Sequence, residues 1–120
     1  MEERELEKLV TIDTIITWAM GLITDKRIVH PAVWVECGIK INILMGELDA
    51  EICHLRACLA DLVVLYLDEG KSASEAKLRA NSGPQYEQYL RANAKREQCI
   101  EFIRLAKVRS KMALDEYLRA

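Results

Sequence analysis

Two histidines and four cysteines carry most of this chain's capacity for metal or nucleophilic chemistry. Only one pair among them has a useful spacing. His54 and Cys58 stand four residues apart, so on a helix both project from one face and can reach a single ion. A closed metal site needs two more ligands. Cys53 falls on a different face, Cys37 is more than four turns away, and Cys99 is remote in sequence. The spacing therefore predicts thiols that pack between helices, with no metal site. Nucleophilic catalysis needs a base beside a Ser or Cys, and neither His30 nor His54 sits in a motif that supplies one. The carboxylate pairs Asp68–Glu69 and Asp115–Glu116 fall near helix ends, where water solvates them. No Walker loop, GxGxxG fingerprint or HExxH motif occurs. The expectation is a protein that is not an enzyme and uses no cofactor.

Charge is the second source of chemistry. Residues 1–70 carry 6 Lys/Arg against 13 Asp/Glu, a net of −7, and residues 71–120 carry 11 against 6, a net of +5. Near the C-terminus Arg104, Lys107 and Lys111 share a helical face, with Arg91 and Lys95 a few turns earlier. These five form a candidate partner-binding face. With Tyr86, Tyr89 and Tyr117 nearby they could follow a phosphate backbone and stack on bases. Glu97, Glu101 and Asp115 interrupt the patch. The alternative is that the basic half pairs with the acidic half, within the chain or in a second copy. Asp13, in an apolar surrounding, either meets a basic residue of the last helix across an interface or faces solvent.

The elements that position these residues are helical. With 51% apolar and 30% charged residues, one Phe and two Trp, a single domain over 1–120 with an aliphatic core is expected. Residues 2–23 predict a first helix, whose stripe of Leu9, Ile12, Ile15, Trp18, Ala19 and Leu22 widens a row through Leu6, Ile16 and Met20. From Pro31 to Asp68 the periodicity is strongest. Ile41, Met45, Leu48, Ile52, Leu55, Leu59, Leu62 and Tyr66 alternate steps of four and three, an unbroken heptad seam for the core or an oligomer interface. Cys37, Leu44, Cys58 and Leu65 form a neighbouring row. Such a helix would be about 57 Å long at 1.5 Å per residue.

Gly70 fits the left-handed residue that closes a helix. Ser72-x-x-Glu75 has capping-box spacing for a short helix, and Pro84 suits the first turn of a last one that runs to about Leu118. The stretch between the long helices is thus a corner that reverses the chain. In the last helix Ala92, Cys99, Ala106 and Ala113 recur every seven residues, with Ala120 as the next step. Small residues at that spacing let two backbones approach closely.

The corner "LYLDEGKSASEAKLRANSGPQYEQYLRA" followed by "RSKMALDEYLRA" resembles small all-helical proteins of phages and prophages over residues 45–120. The resemblance implies the scale of accessory factors from phage recombination clusters, or of phage inhibitors of host defence, and carries no functional residue with it.

The fold expected is all-α: a long antiparallel helical hairpin with an additional N-terminal helix, assembled as an oligomeric helical bundle. The function expected is a phage accessory protein that binds and modulates a protein, such as an anti-CRISPR-like inhibitor of a host nuclease or defence system. One alternative is a DNA- or RNA-binding accessory protein that uses the basic last helix. A structural assembly element is another. Partners expected are a second copy, a host or phage protein, and, on the alternative, nucleic acid. The acidic start "MEERELEKLV" and the short apolar run after Asp13 predict a cytoplasmic protein without a membrane span.

Overall fold

The computed structural model describes residues 2–119. They form α1 (Glu2–Glu7), α2 (Ile12–Thr24), α3 (Pro31–Asp68), α4 (Ala73–Ala80) and α5 (Pro84–Arg119), with no strand among the described residues. The protein is all-α, and the 38-residue α3 pairs with the 36-residue α5. No helix among the described residues is long and apolar enough to cross a membrane.

Helix ends follow local chemistry. Gly70 adopts φ 88°, its N–H donates to the Leu67 carbonyl at 3.0 Å, and that of Lys71 to Tyr66 at 3.1 Å. This double closure satisfies two of the carbonyls that α3 leaves without helical partners. Ser72 caps α4 by accepting from the Glu75 N–H at 3.2 Å. The Glu75 carboxylate turns forward to Arg79 at 3.4 Å.

The N-terminal region departs from the single helix that periodicity predicts over 2–23. Thr11 caps α2 instead: its hydroxyl accepts from the Thr14 N–H at 3.2 Å, and the Thr14 hydroxyl accepts from the Thr11 N–H at 3.3 Å. At the break Lys40 Nζ donates to the carbonyls of Leu6 and Leu9 at 2.6 and 2.9 Å, and that of Leu6 also accepts from the Leu9 N–H at 3.1 Å. Two threonines and a reaching lysine thus outweigh continuous apolar spacing. Asp13 is exposed in the first turn of α2, where free helix N–H groups favour a carboxylate. Lys26 closes α2 at φ 52°, with the same two backbone bonds as Gly70 makes but without glycine's freedom.

The described residues divide into two compact units. One joins the chain up to Met45 to the chain from Gln98, and the other is Gly46–Glu97. In the first, α1 and α2 pack on the start of α3 and the end of α5. Its core includes Ile15, Val33, Trp34, Cys37, Ile41, Cys99 and Phe102. Gly38 of α3 and Ala106 of α5 approach closely, so a Cβ at Gly38 would lie 3.8 Å from that of Ala106. In the second unit Leu48, Ile52 and Leu55 are buried, with Ala76 and Ala80 of α4 and Ala92 of α5. Arg96 Nε donates to Asp49 Oδ1 at 2.6 Å, linking the two long helices there.

None of the eight heptad-seam residues is exposed. Ile41, Leu48, Ile52 and Leu55 are buried, whereas Met45, Leu59, Leu62 and Tyr66 are half-buried. Burial therefore fades toward the end of α3. Of the neighbouring row, Cys37 is buried but Leu65 is 52% exposed. Ala92, Cys99, Ala106 and Ala113 are all buried, while Ala120 lies outside the described residues.

Candidate partner-binding groove

The chemically versatile side chains are largely engaged in packing and capping. Cys37 and Cys99 are buried. Burial pushes the Cys37 thiol up to about 11, against a smaller opposing pull from Lys40. Its thiolate is therefore scarce at neutral pH. His54 Nε2 and Cys58 Sγ do meet, at 3.6 Å. Among the described residues no group of three or more His, Cys, Asp or Glu side chains is placed to hold a metal ion. Nδ1 of His30 accepts from the Ala32 N–H at 3.1 Å, which caps the start of α3, and its ring meets Tyr117 edge-on at 5.0 Å.

The five basic residues of the candidate face fall into two groups. Arg91 and Lys95 belong to the Gly46–Glu97 unit, where they line a hollow with Leu48, Glu51, Gln88 and Ala92. Lys95 is half-buried there. Arg104, Lys107 and Lys111 belong to the other unit, and all three are exposed. The tyrosines are engaged in other contacts. Tyr86 and Tyr89 stack on each other at 6.2 Å. Arg56 hydrogen-bonds the Tyr89 hydroxyl, which lowers that phenol below its usual range, with help from Asn93.

Lys107 has a further setting that the spacing of charges does not reveal. It lines an open groove of about 400 Å³ between α3 and α5. The α3 wall consists of Trp34, Val35, Gly38, Ile39, Asn42 and Ile43, and the α5 wall of Ile103, Ala106, Lys107 and Ser110. Val35, Ile39 and Ile43 are 50%, 47% and 63% exposed. Four-residue spacing makes them one ridge along about two turns of α3. Gly38 and Ala106 form the floor, because small side chains fill none of the space that larger ones would close. The flank of α3 that carries Ala32, Glu36 and Lys40 shares a hollow with Glu3, Leu6 and Glu7 of α1, whereas the groove is lined by α3 and α5 alone. Ile43 also borders a second hollow, whose lining combines Leu9, Val10 and Leu44 with Glu7 and Lys40.

Sequence reasoning identified Lys107 but missed Val35, Ile39 and Ile43. The available signal was their four-residue repeat on the side of α3 away from the heptad seam. Comparison with known protein families, curated proteins and solved structures gives no match.

Proposed function

We propose that this chain is a non-enzymatic accessory protein of the phage type that binds a protein partner and modulates it, for example by inhibiting a host nuclease or defence complex. The observation that carries this reading is the apolar groove in the unit containing α1 and α2. An exposed ridge of three large aliphatic side chains, beside a floor of small ones, is costly to leave in water and suits a docked side-chain cluster. We further propose that the protein acts in the cytoplasm and self-associates. Val64, Leu65 and Leu67 of α3, Leu78 of α4 and Leu90 of α5 are 42–70% exposed in the Gly46–Glu97 unit and supply apolar surface for a second copy.

Nucleic-acid binding through Arg91, Lys95, Arg104, Lys107 and Lys111 is the competing function. It draws on the exposed cluster Arg104, Lys107 and Lys111. Gel-shift titration with single- and double-stranded DNA at two salt concentrations separates the two. Protein docking predicts weak or no shift at either salt. Submicromolar binding would overturn it, especially with a log–log salt slope near −2, as about three phosphate contacts on a single strand would give. Pull-down from nuclease-treated host lysate should retain the partner, and light scattering at micromolar concentration should find more than a monomer.

A further inference from the structure

We infer that the groove between α3 and α5 accepts an acidic amphipathic helix of the partner protein; this rests on the protein-docking reading above. The shape argument comes first. Val35, Ile39 and Ile43 on one wall and Ile103 on the other present helical ridges, and the gap between them is where a third helix would pack ridge into groove. Lining residues from Trp34 to Ile43 span about 14 Å of α3 at 1.5 Å per residue. That length matches three apolar anchors at i, i+4 and i+7 of an incoming helix.

Charge then selects the partner. The α5 rim carries Lys107 in the groove itself, with Arg104 and Lys111 one turn to either side, about 60° and 40° further round α5 and away from the groove-lining Ile103, Ala106 and Ser110. No acidic side chain lines the groove, and the polar residues on its walls besides Lys107 are Asn42 and Ser110. Glu101, three residues before Arg104, and Asp115, four after Lys111, share the outer side of α5 with those two cations, which leaves Lys107 as the charge at the groove. Among the described residues, no ion pair engages Arg104, Lys107 or Lys111. A helix seated on the aliphatic ridge therefore brings its α5-facing flank against the Lys107 ammonium. Carboxylates on that flank are favoured, and lysines are not. The apolar anchors would provide most of the affinity, and the charges would set partner choice and orientation.

The test uses the whole protein and designed helical peptides of about fifteen residues, with leucines at i, i+4 and i+7. The flank beside them is glutamate in one peptide and lysine in the other, and a third has the glutamate sequence scrambled. Fluorescence anisotropy reads affinity, and Trp34, which lines the groove, reports occupancy by its own emission. The glutamate peptide should bind at micromolar Kd, tightest at low salt, and at least tenfold better than the lysine or scrambled peptide. Lys107→Glu should weaken it about three- to tenfold. Ile39→Ser should weaken it about ten- to a hundredfold. Both positions are exposed, so circular dichroism should show parent-like folding in each variant. Equal binding of both charged peptides, no binding by any, or indifference to both substitutions would overturn the inference. A second copy as occupant would show as a monomer–oligomer equilibrium that Ile39→Ser shifts and the peptide does not. Retention of a lysate protein that Ile43→Asp abolishes, without glutamate-peptide binding, would overturn the acidic-helix assignment while leaving the docking function standing.

Discussion

The two compact units use the same pair of long helices to different depths. In the unit that includes α1 and α2, four helices enclose Trp34 and Phe102 with Ile15 and Ile41, and Trp18 packs against the same core. In Gly46–Glu97 the pair has only the eight-residue α4 beside it, and the buried residues are Leu48, Ile52, Leu55 and three alanines. A helix pair alone buries one stripe per helix, and depth requires further helices to cover the flanks. The difference teaches where a site can form. A groove needs rigid walls, and the unit with the enclosed core has them, whereas the other should open more readily.

Charge shows a similar contrast between chain and unit. The acidic first 70 residues and the basic last 50 look polarised when read along the chain. By unit, the first carries 10 Lys/Arg against 10 Asp/Glu and the second 7 against 9. In the first unit the net −2 of residues 1–30 balances the net +2 of residues 98–120, and in the second the acidic part of α3 outweighs the basic part of α5, which leaves local concentrations such as Arg104, Lys107 and Lys111.

The largest test of the comparison is core truncation. Phe102→Ala should cost about 3–5 kcal/mol in urea denaturation, and Leu55→Ala nearer 2 kcal/mol, the low end for such changes. Leu59→Ala should cost less again, because Leu59 is only half-buried. Greater sensitivity at Leu55 than at Phe102 would reverse the assignment of depth. Close packing gives the next effect. Ala106→Leu should cost about 1–3 kcal/mol by forcing α3 and α5 apart, whereas Ala57→Leu, on an exposed face of the second unit, should change stability by less than about 0.5 kcal/mol.

The Cys37 thiol allows a test by pH. Its folded value of about 11 exceeds the ordinary 9.0, so the folded state holds this proton more tightly than the unfolded chain. That contribution is complete below pH 9 and is lost between 9 and 11, at up to about 1.4 kcal/mol per pH unit. Cys37→Ala should flatten the stability profile in that window. Thiol reagents at neutral pH should label exposed Cys53 at once and Cys37 only on unfolding. The smallest effect is at Lys26, whose left-handed backbone suits glycine. Lys26→Gly should stabilise by about 0.5–1 kcal/mol in thermal melts.

Much of the helix framework was legible because its punctuation is written in residue types. Pro31 and Pro84 open α3 and α5 where a missing N–H costs nothing, and Gly70 and Ser72 close and reopen the chain at the corner. The break at Lys8–Thr11 was not legible. A threonine three residues after a threonine lacks the glutamate that marks a capping box, and the lysine that completes the break comes from α3, 31–34 residues away. Lys26 gave no glycine to read. The basic cluster was visible as spacing. Its apolar neighbour was not, because the groove depends on which flank of α3 the first two helices cover and on Gly38 facing Ala106 across the pair.

Site-specific photocrosslinking tests the central claim, that the partner docks in this groove, most directly. A photoreactive residue at Ile43, 63% exposed on the ridge, is compared with one at Leu78, 70% exposed on α4 in the other unit. In nuclease-treated host lysate, Ile43 should yield a discrete protein adduct that Ile39→Ser abolishes, and Leu78 should not yield that adduct. Equal adducts from both positions, or adducts to nucleic acid alone in untreated lysate, would contradict the account.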